Sequence, residues 1–234
     1  MNTRMSTNMD TGTGISMTDP ALLRLLTWLS PAFPTGGFAY SQGLEWAVEA
    51  GDVTDRDSLR EWLRDVLRLG AGWSDVILLR HAHRAAHDPA ALAEMAALAA
   101  ATAPSRERQV ESLGQGAAFI AAAKPWRDDL LAGIAAAPYA VAVGALAGSS
   151  GISEDDAALG FLQALLGNLV SAAVRLVPLG QSAGLAVVAA LESDLLDVAA
   201  KTRAATVDDL GTACFRADLA AMRHETQYTR LFRS

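Results

Sequence analysis

Apolar residues recur along this chain at intervals of three and four rather than two, the period of helices that lay one side against a core. Leu59, Trp62, Leu63, Val66 and Leu67 fall at i, i+3, i+4, i+7 and i+8, and Arg60, Glu61, Arg64, Asp65 and Arg68 fill the gaps. This predicts an amphipathic helix with a charged outer side, opened by a capping-box-like Thr54 and Asp57. The longest helix is predicted at 154–177, behind Ser153 and Asp156, with the stripe Leu159, Leu162, Leu165, Leu166, Leu169, Val170, Ala173, Val174 and Val177. Phe161, Asn168, Ser171 and Arg175 fall roughly opposite that stripe and are expected on an outer side. Asp19-Pro20 opens a first helix, and Ser30-Pro-Ala-Phe-Pro-Thr-Gly-Gly37 stops it, because two prolines and a glycine pair do not continue a helix. Further helices are predicted at 44–50, 73–87, 89–102, 106–123, 126–136, 139–148, 182–201 and 207–227. No alternating run with a hairpin turn and no fixed repeat period interrupts them.

The expectation is an all-α, single-domain helical bundle of about ten helices over residues 20–227. Residues 1–19, rich in Thr, Ser, Asn and Gly with four methionines, read as a disordered tail and not as a signal peptide, for want of an apolar run. The last predicted helix carries two stripes. Leu210, Cys214, Ala217, Ala221 and His224 form one, and Phe215, Leu219 and Met222 lie nearly opposite. A surface helix needs one stripe, so the second implies a further contact.

Composition sharpens the fold class. Of 234 residues 51% are hydrophobic but only 6% aromatic, and alanine supplies 48. Small helix-forming side chains thus dominate, which disfavours an all-β or a disordered chain. The balance of 19 basic to 26 acidic residues gives a net charge of −7, which makes a nucleic acid a poor partner. The lone Cys214 suits a reducing, cytoplasmic setting. The apolar stretch 130–152 is rich in Ala and Gly and broken by Pro138, so it reads as buried helices and no membrane association is expected.

Candidate chemistry is sparse. Neither Lys124 nor Lys201 follows a glycine, so no phosphate-binding P-loop exists. His83 and His87 stand four apart and could share a metal on a helix, with His81 further round; the alternative reading is therefore a metal carrier or metalloenzyme using His81, His83 and His87. Arg80 and Arg84 oppose a cation there, and no Cys or HExxH carboxylate completes a set, so no metal site and no catalytic residue are predicted. Two segments stand out instead. One is SPAFPTGGFAYSQGLE, Ser30 to Glu45, which places Phe33, Phe38 and Tyr40 around Gly36 and Gly37. The other is the end QYTRLFRS, in which Tyr228, Leu231 and Phe232 stand among Arg230, Arg233 and Ser234. Aromatics with arginines are the residues that dominate interface energetics.

These two segments, together with Arg175-Leu-Val-Pro-Leu-Gly-Gln181, resemble the urease accessory protein UreF family. The likeness spans roughly Leu22 to Ser234. It departs after Gln181, where Ser182-Ala183-Gly184-Leu185 stands in place of the family's frequent Thr-Asp-Gly-Gln. The resemblance implies an all-α homodimer without catalysis of its own, a urease maturation chaperone. It would join the accessory protein UreD/UreH to the GTPase UreG on the urease apoprotein and couple GTP hydrolysis to nickel insertion. Nickel would pass through the assembled complex, and no resident cofactor is implied. The expected partner-binding residues are Phe33, Gly36, Gly37, Phe38, Tyr40, Glu45, Arg175, Gln181, Phe215, Tyr228, Arg230, Leu231, Phe232, Arg233 and Ser234, with 228–234 as a partner-binding tail.

Overall fold

The local signals are closely obeyed at Asp88, whose carboxylate accepts from the Ala90 and Ala91 amides while Pro89, lacking an N–H to leave unpaired, becomes the first helical residue. The computed structural model describes residues 20–127, 129, 131–132, 134 and 136–234. Among the described residues eleven α-helices follow in order: α1 Pro20–Trp28, α2 Leu44–Glu49, α3 Arg56–Leu69, α4 Ala71–Arg84, α5 Pro89–Ala101, α6 Arg106–Ala123, α7 Tyr139–Ser149, α8 Glu154–Leu176, α9 Gly180–Ala190, α10 Glu192–Lys201 and α11 Phe215–His224. Short 3-10 turns cover Gly37–Ala39, Thr202–Ala204 and Val207–Asp209, and no strand occurs among the described residues. The all-α bundle is as expected; the predicted tail 1–19 lies outside the described residues.

One apolar core runs through the domain. All five stripe residues of α3 enter it, and the longest helix begins where Ser153 accepts from the Asp156 amide. Helices α4 and α7 meet almost backbone to backbone. A Cβ on Gly144 would stand 2.2 Å from the Leu79 carbonyl oxygen, so only glycine permits that approach. Buried Arg80 crosses the same region, donating to Glu154, Asp155, Thr202 Oγ1 and the Ala199 carbonyl, and so ties α4 to α8 and α10. Helix α8 is the one described helix long and apolar enough to cross a membrane; half of that stretch is buried in the core, and its first turn carries Glu154, Asp155 and Asp156.

Several boundaries differ from the expectation. The α3 cap is Asp55 with Ser58, not Thr54 with Asp57. The segment predicted at 182–201 divides at Leu191 into α9 and α10, and 207–227 contains a 3-10 turn before α11. No α-helix covers 126–136: its described residues are turns and irregular chain, with Leu131 at φ 56°, a left-handed value that an α-helix does not accommodate. Residues 128, 130, 133 and 135 of that stretch lie outside the described residues. Phe161, expected on the outside of α8, is buried against Tyr139 at 5.5 Å between ring centroids.

Candidate functional site

The loop Ser30–Gly43 and the tail Tyr228–Ser234, almost two hundred residues apart in sequence, are tied together on one side of the bundle. Phe33 anchors the loop by inserting between Phe119, at 5.4 Å, and Trp126, at 6.3 Å. Gly36, at φ 74°, starts the 3-10 turn, and Asn168 on α8 donates to the Gly37 carbonyl at 2.8 Å. Tyr40 is half-buried, its hydroxyl over Gly114 of α6. Gly43, at φ 80°, then lets α2 start directly against the backbone of α11.

The tail meets this loop through its main chain. The Arg233 amide donates to the Ala39 carbonyl at 2.8 Å, and the Ser41 amide and hydroxyl donate to the Ser234 carbonyl at 2.7 and 2.6 Å. The Leu231 and Phe232 amides both donate to Glu45, at 2.6 and 2.9 Å. Buried Glu45 is thereby the socket of the tail, a role its position at the start of α2 allows because α2 and α11 cross there.

Around Glu45 lies a buried network of charge. His224, fully buried on α11, faces Glu45 through Nε2 at 3.1 Å and Glu107 on α6 through Nδ1 at 2.6 Å. Arg230 pairs with Glu107, and Arg108 with Glu111, which also accepts from Gln42 and from the Ser234 hydroxyl. Arg108 is held strongly protonated, the attraction of Glu111 and Asp75 outweighing the effect of burial. Burial pushes the Asp75 carboxyl up to about 6, with Glu111 adding to the rise and Arg108 opposing it. From outside, Arg175 closes the knot: its guanidinium donates to the Phe38 carbonyl at 2.7 Å and lies 4.3 Å from the centre of the Phe232 ring.

This arrangement divides the expected partner-binding residues. Phe33, Glu45, Phe232 and Ser234 are buried within the chain, Phe232 only 4% exposed, where they build the knot. Arg175 is tied to loop and tail rather than projecting as a free outer group. Phe38, 69% exposed, Leu231, 66% exposed, and Tyr228 remain in solvent, as do Arg230 and Arg233 apart from the contacts above. Gln181 is exposed on the first turn of α9, outside the knot, and Phe215, 70% exposed, projects from α11 with Leu219 and Met222. The sequence reading missed Ser41, Glu107, Glu111 and the role of His224. His224 was visible as a polar residue in an apolar stripe, whereas Ser41 lies in the loop and Glu107 and Glu111 in the polar first turns of α6.

The histidine alternative finds no geometry. Helix α4 ends at Arg84, so His87 lies in the following turn and loses its helical register with His83. The His83 Nε2 is engaged by the Ile152 carbonyl at 2.8 Å. Among the described residues no three His, Cys, Asp or Glu side chains converge to hold a metal ion.

Fold and site together define a class: an all-α protein that spends its most distinctive residues on joining a loop to its tail and presenting the joined surface. A family model described as UreF matches residues 53–192. The urease accessory protein UreF of Rhodopseudomonas palustris strain TIE-1 is 54% identical over 222 residues, 92% of each chain. That of Bradyrhizobium sp. strain BTAi1 is 53% identical over the same shares, and that of R. palustris strain BisB18 is 47% identical over 98% of this chain and 99% of its own. The chain belongs to the UreF family of urease accessory proteins.

Proposed function

We propose that this protein is a non-catalytic subunit of the cytoplasmic machinery that matures urease. In this reading it bridges UreD/UreH and the GTPase UreG on the urease apoprotein, as a homodimer, so that GTP hydrolysis is coupled to nickel insertion. The observation that carries it is the knot: a chain 54% identical to a UreF protein over 92% of its length holds loop and tail together through hydrogen bonds yet leaves Phe38, Tyr228 and Leu231 in water. Solvated aromatic and aliphatic groups on a well-braced frame suit a protein interface, because little conformational freedom remains to be lost on docking. Arg230 and Arg233 add guanidinium groups at the rim, where they favour a partner surface that carries carboxylates.

Nickel is cargo in this scheme rather than a resident cofactor. The test is affinity capture of UreD/UreH, UreG and the urease apoprotein, each in turn, by the intact protein and by Phe38→Asp and Leu231→Asp. Both substitutions fall at exposed sites and should leave the helix content unchanged while weakening capture of at least one partner by tenfold or more, about 1.4 kcal/mol. Undiminished capture of all three by both variants would rule out the proposed face.

A further inference from the structure

Behind Gln42, where α3, α4, α6 and α11 come together, the chain encloses a cavity of about 60 Å³ bounded at the end of α5 by Thr102 and Pro104. Three groups on its wall carry hydrogen-bonding capacity that the chain leaves unused. Gln42 donates through Nε2 to Glu111 at 3.1 Å, but its buried Oε1 receives no donor. Asp75 on α4 accepts no hydrogen bond among the described residues, and burial pushes its carboxyl up to about 6. Arg108 on α6, only 8% exposed, pairs through Nη1 with Glu111 and makes no further ion pair or side-chain hydrogen bond among the described residues. Leaving buried donors and acceptors unpaired is costly, so such groups mark a place where something else pairs them. The neighbouring Ser74 and Asp218 are already engaged, by the Gly211 carbonyl and the Thr212 hydroxyl.

We propose that this cavity binds a small neutral amide, whose N–H groups meet Gln42 Oε1 and the Asp75 carboxylate and whose carbonyl oxygen accepts from Arg108. The unused groups are acceptors at Gln42 and Asp75 and a donor at Arg108, the complement of an amide's own donors and acceptor. Size agrees: at roughly 15 Å³ for each water-sized group, the cavity takes a molecule of about four heavy atoms. Charge argues for a neutral occupant. An anion would meet Asp75 and Asp218, and a cation would meet Arg108, all three on the same wall. A neutral amide pairs the unused groups without stranding a charge. Apolar Val66, Leu78 and Ala99 close the remaining sides and suit the flat faces of such a molecule. The site adjoins the knot, because Gln42 and Arg108 both hold Glu111, the acceptor for the Ser234 hydroxyl. It belongs to the interior of the chain, whichever partner the outer face meets.

The test is a nuclear magnetic resonance titration of the intact, nitrogen-15-labelled protein, read at the Gln42 side-chain amide and the Arg108 Nε–H. The probes are urea and acetamide, with guanidinium chloride and sodium acetate as a cation and an anion of the same flat, Y-shaped outline. Additions stop at about 100 mM, far below the concentrations that unfold a protein. At least one amide should saturate both signals with a Kd on the order of 1–10 mM, the weak range open to so few atoms. Guanidinium and acetate should bind at least about tenfold more weakly. Asp75→Leu and Gln42→Met each remove an acceptor at similar size. Each should weaken amide binding, read at Arg108, by at least about tenfold while helix content is unchanged. Should Asp75→Leu fail to fold, Gln42→Met, in the loop, decides the same point. Signals that never saturate with either amide would mean that the cavity holds water only and would overturn the proposal. Tighter binding of either ion would overturn it as well, as would undiminished amide binding in the folded variants.

Discussion

Gly43→Ala is the substitution whose cost the structure specifies most fully. Gly43 sits at φ 80°, in the left-handed region, which an L side chain enters at about 1–2 kcal/mol. Its Cβ would also stand 2.5 Å from the Ala221 nitrogen and 2.8 Å from its Cα, both backbone atoms of α11 that cannot swing aside. Overpacking of this kind costs about 1–3 kcal/mol, so the sum is about 2–5 kcal/mol. For a chain of this length each kcal/mol lowers the melting temperature by roughly 2–4 °C, which predicts a fall of roughly 4–20 °C. Gly51→Ala is the internal control. Gly51 has φ 79°, but a methyl group there would meet nothing within 4 Å, so it should show the backbone cost alone, roughly 2–8 °C. Thermal melts followed by circular dichroism, run side by side, separate the two contributions. A Gly43→Ala protein that melts no lower than Gly51→Ala would refute the close approach of α2 to α11 on which the placement of Glu45 and His224 depends.

Other expectations are independent of that contact. Asp75 keeps its proton up to about pH 6 when folded, against 3.8 for the ordinary carboxyl, so the folded state binds more protons than the unfolded state between those values. Stability should accordingly fall as pH rises from about 4 to 6, and Asp75→Asn should flatten that slope and stabilise the protein by about 1–3 kcal/mol at pH 7.5 in urea titrations. A destabilised Asp75→Asn would show the ionised carboxylate to be favourable there. Arg175→Ala loses the Phe38 carbonyl contact and the Phe232 ring; because the side chain is exposed, about 1 kcal/mol and a melting shift under about 4 °C are expected, with weaker partner capture. A fall beyond about 8 °C would make the residue chiefly structural. Phe215→Glu should fold normally, since the ring is already in water, and sedimentation should show lost self-association if α11 forms the dimer contact. An unchanged sedimentation coefficient would contradict a dimer contact on α11.

Much of the bundle was legible because it depends on residues close in sequence. The α3 stripe, the Asp88-Pro89 start and the Ser153 cap are all decided within one or two turns, where periodicity and capping chemistry operate. The failures share a cause. Alanine-rich 126–136 has helix-forming composition, yet its described residues turn, and Phe161 is buried because Tyr139 of another helix covers it. The site was only half legible. Loop and tail were visible as unusual segments, but the bond from Leu231 to Glu45 spans 186 residues, and no local pattern encodes it. For the same reason no local pattern shows that Glu45, Phe232 and Arg175 are joined within the chain. His224 was legible as part of one stripe of the last helix, but its two carboxylates come from helices that nothing in the sequence pairs.

If the face held together by this knot is what the protein contributes to urease maturation, the decisive quantity is nickel bound per urease active site. It is measured alongside urease activity, after maturation with UreD/UreH and UreG. The comparison is between the unmodified protein and the double variant Phe38→Asp/Leu231→Asp at equal folded concentration. Near-complete loading is expected with the former. With the double variant, loading should fall to the level reached when this protein is omitted, although its melting temperature is unchanged. Full nickel loading by the folded double variant would contradict the proposed role of the face.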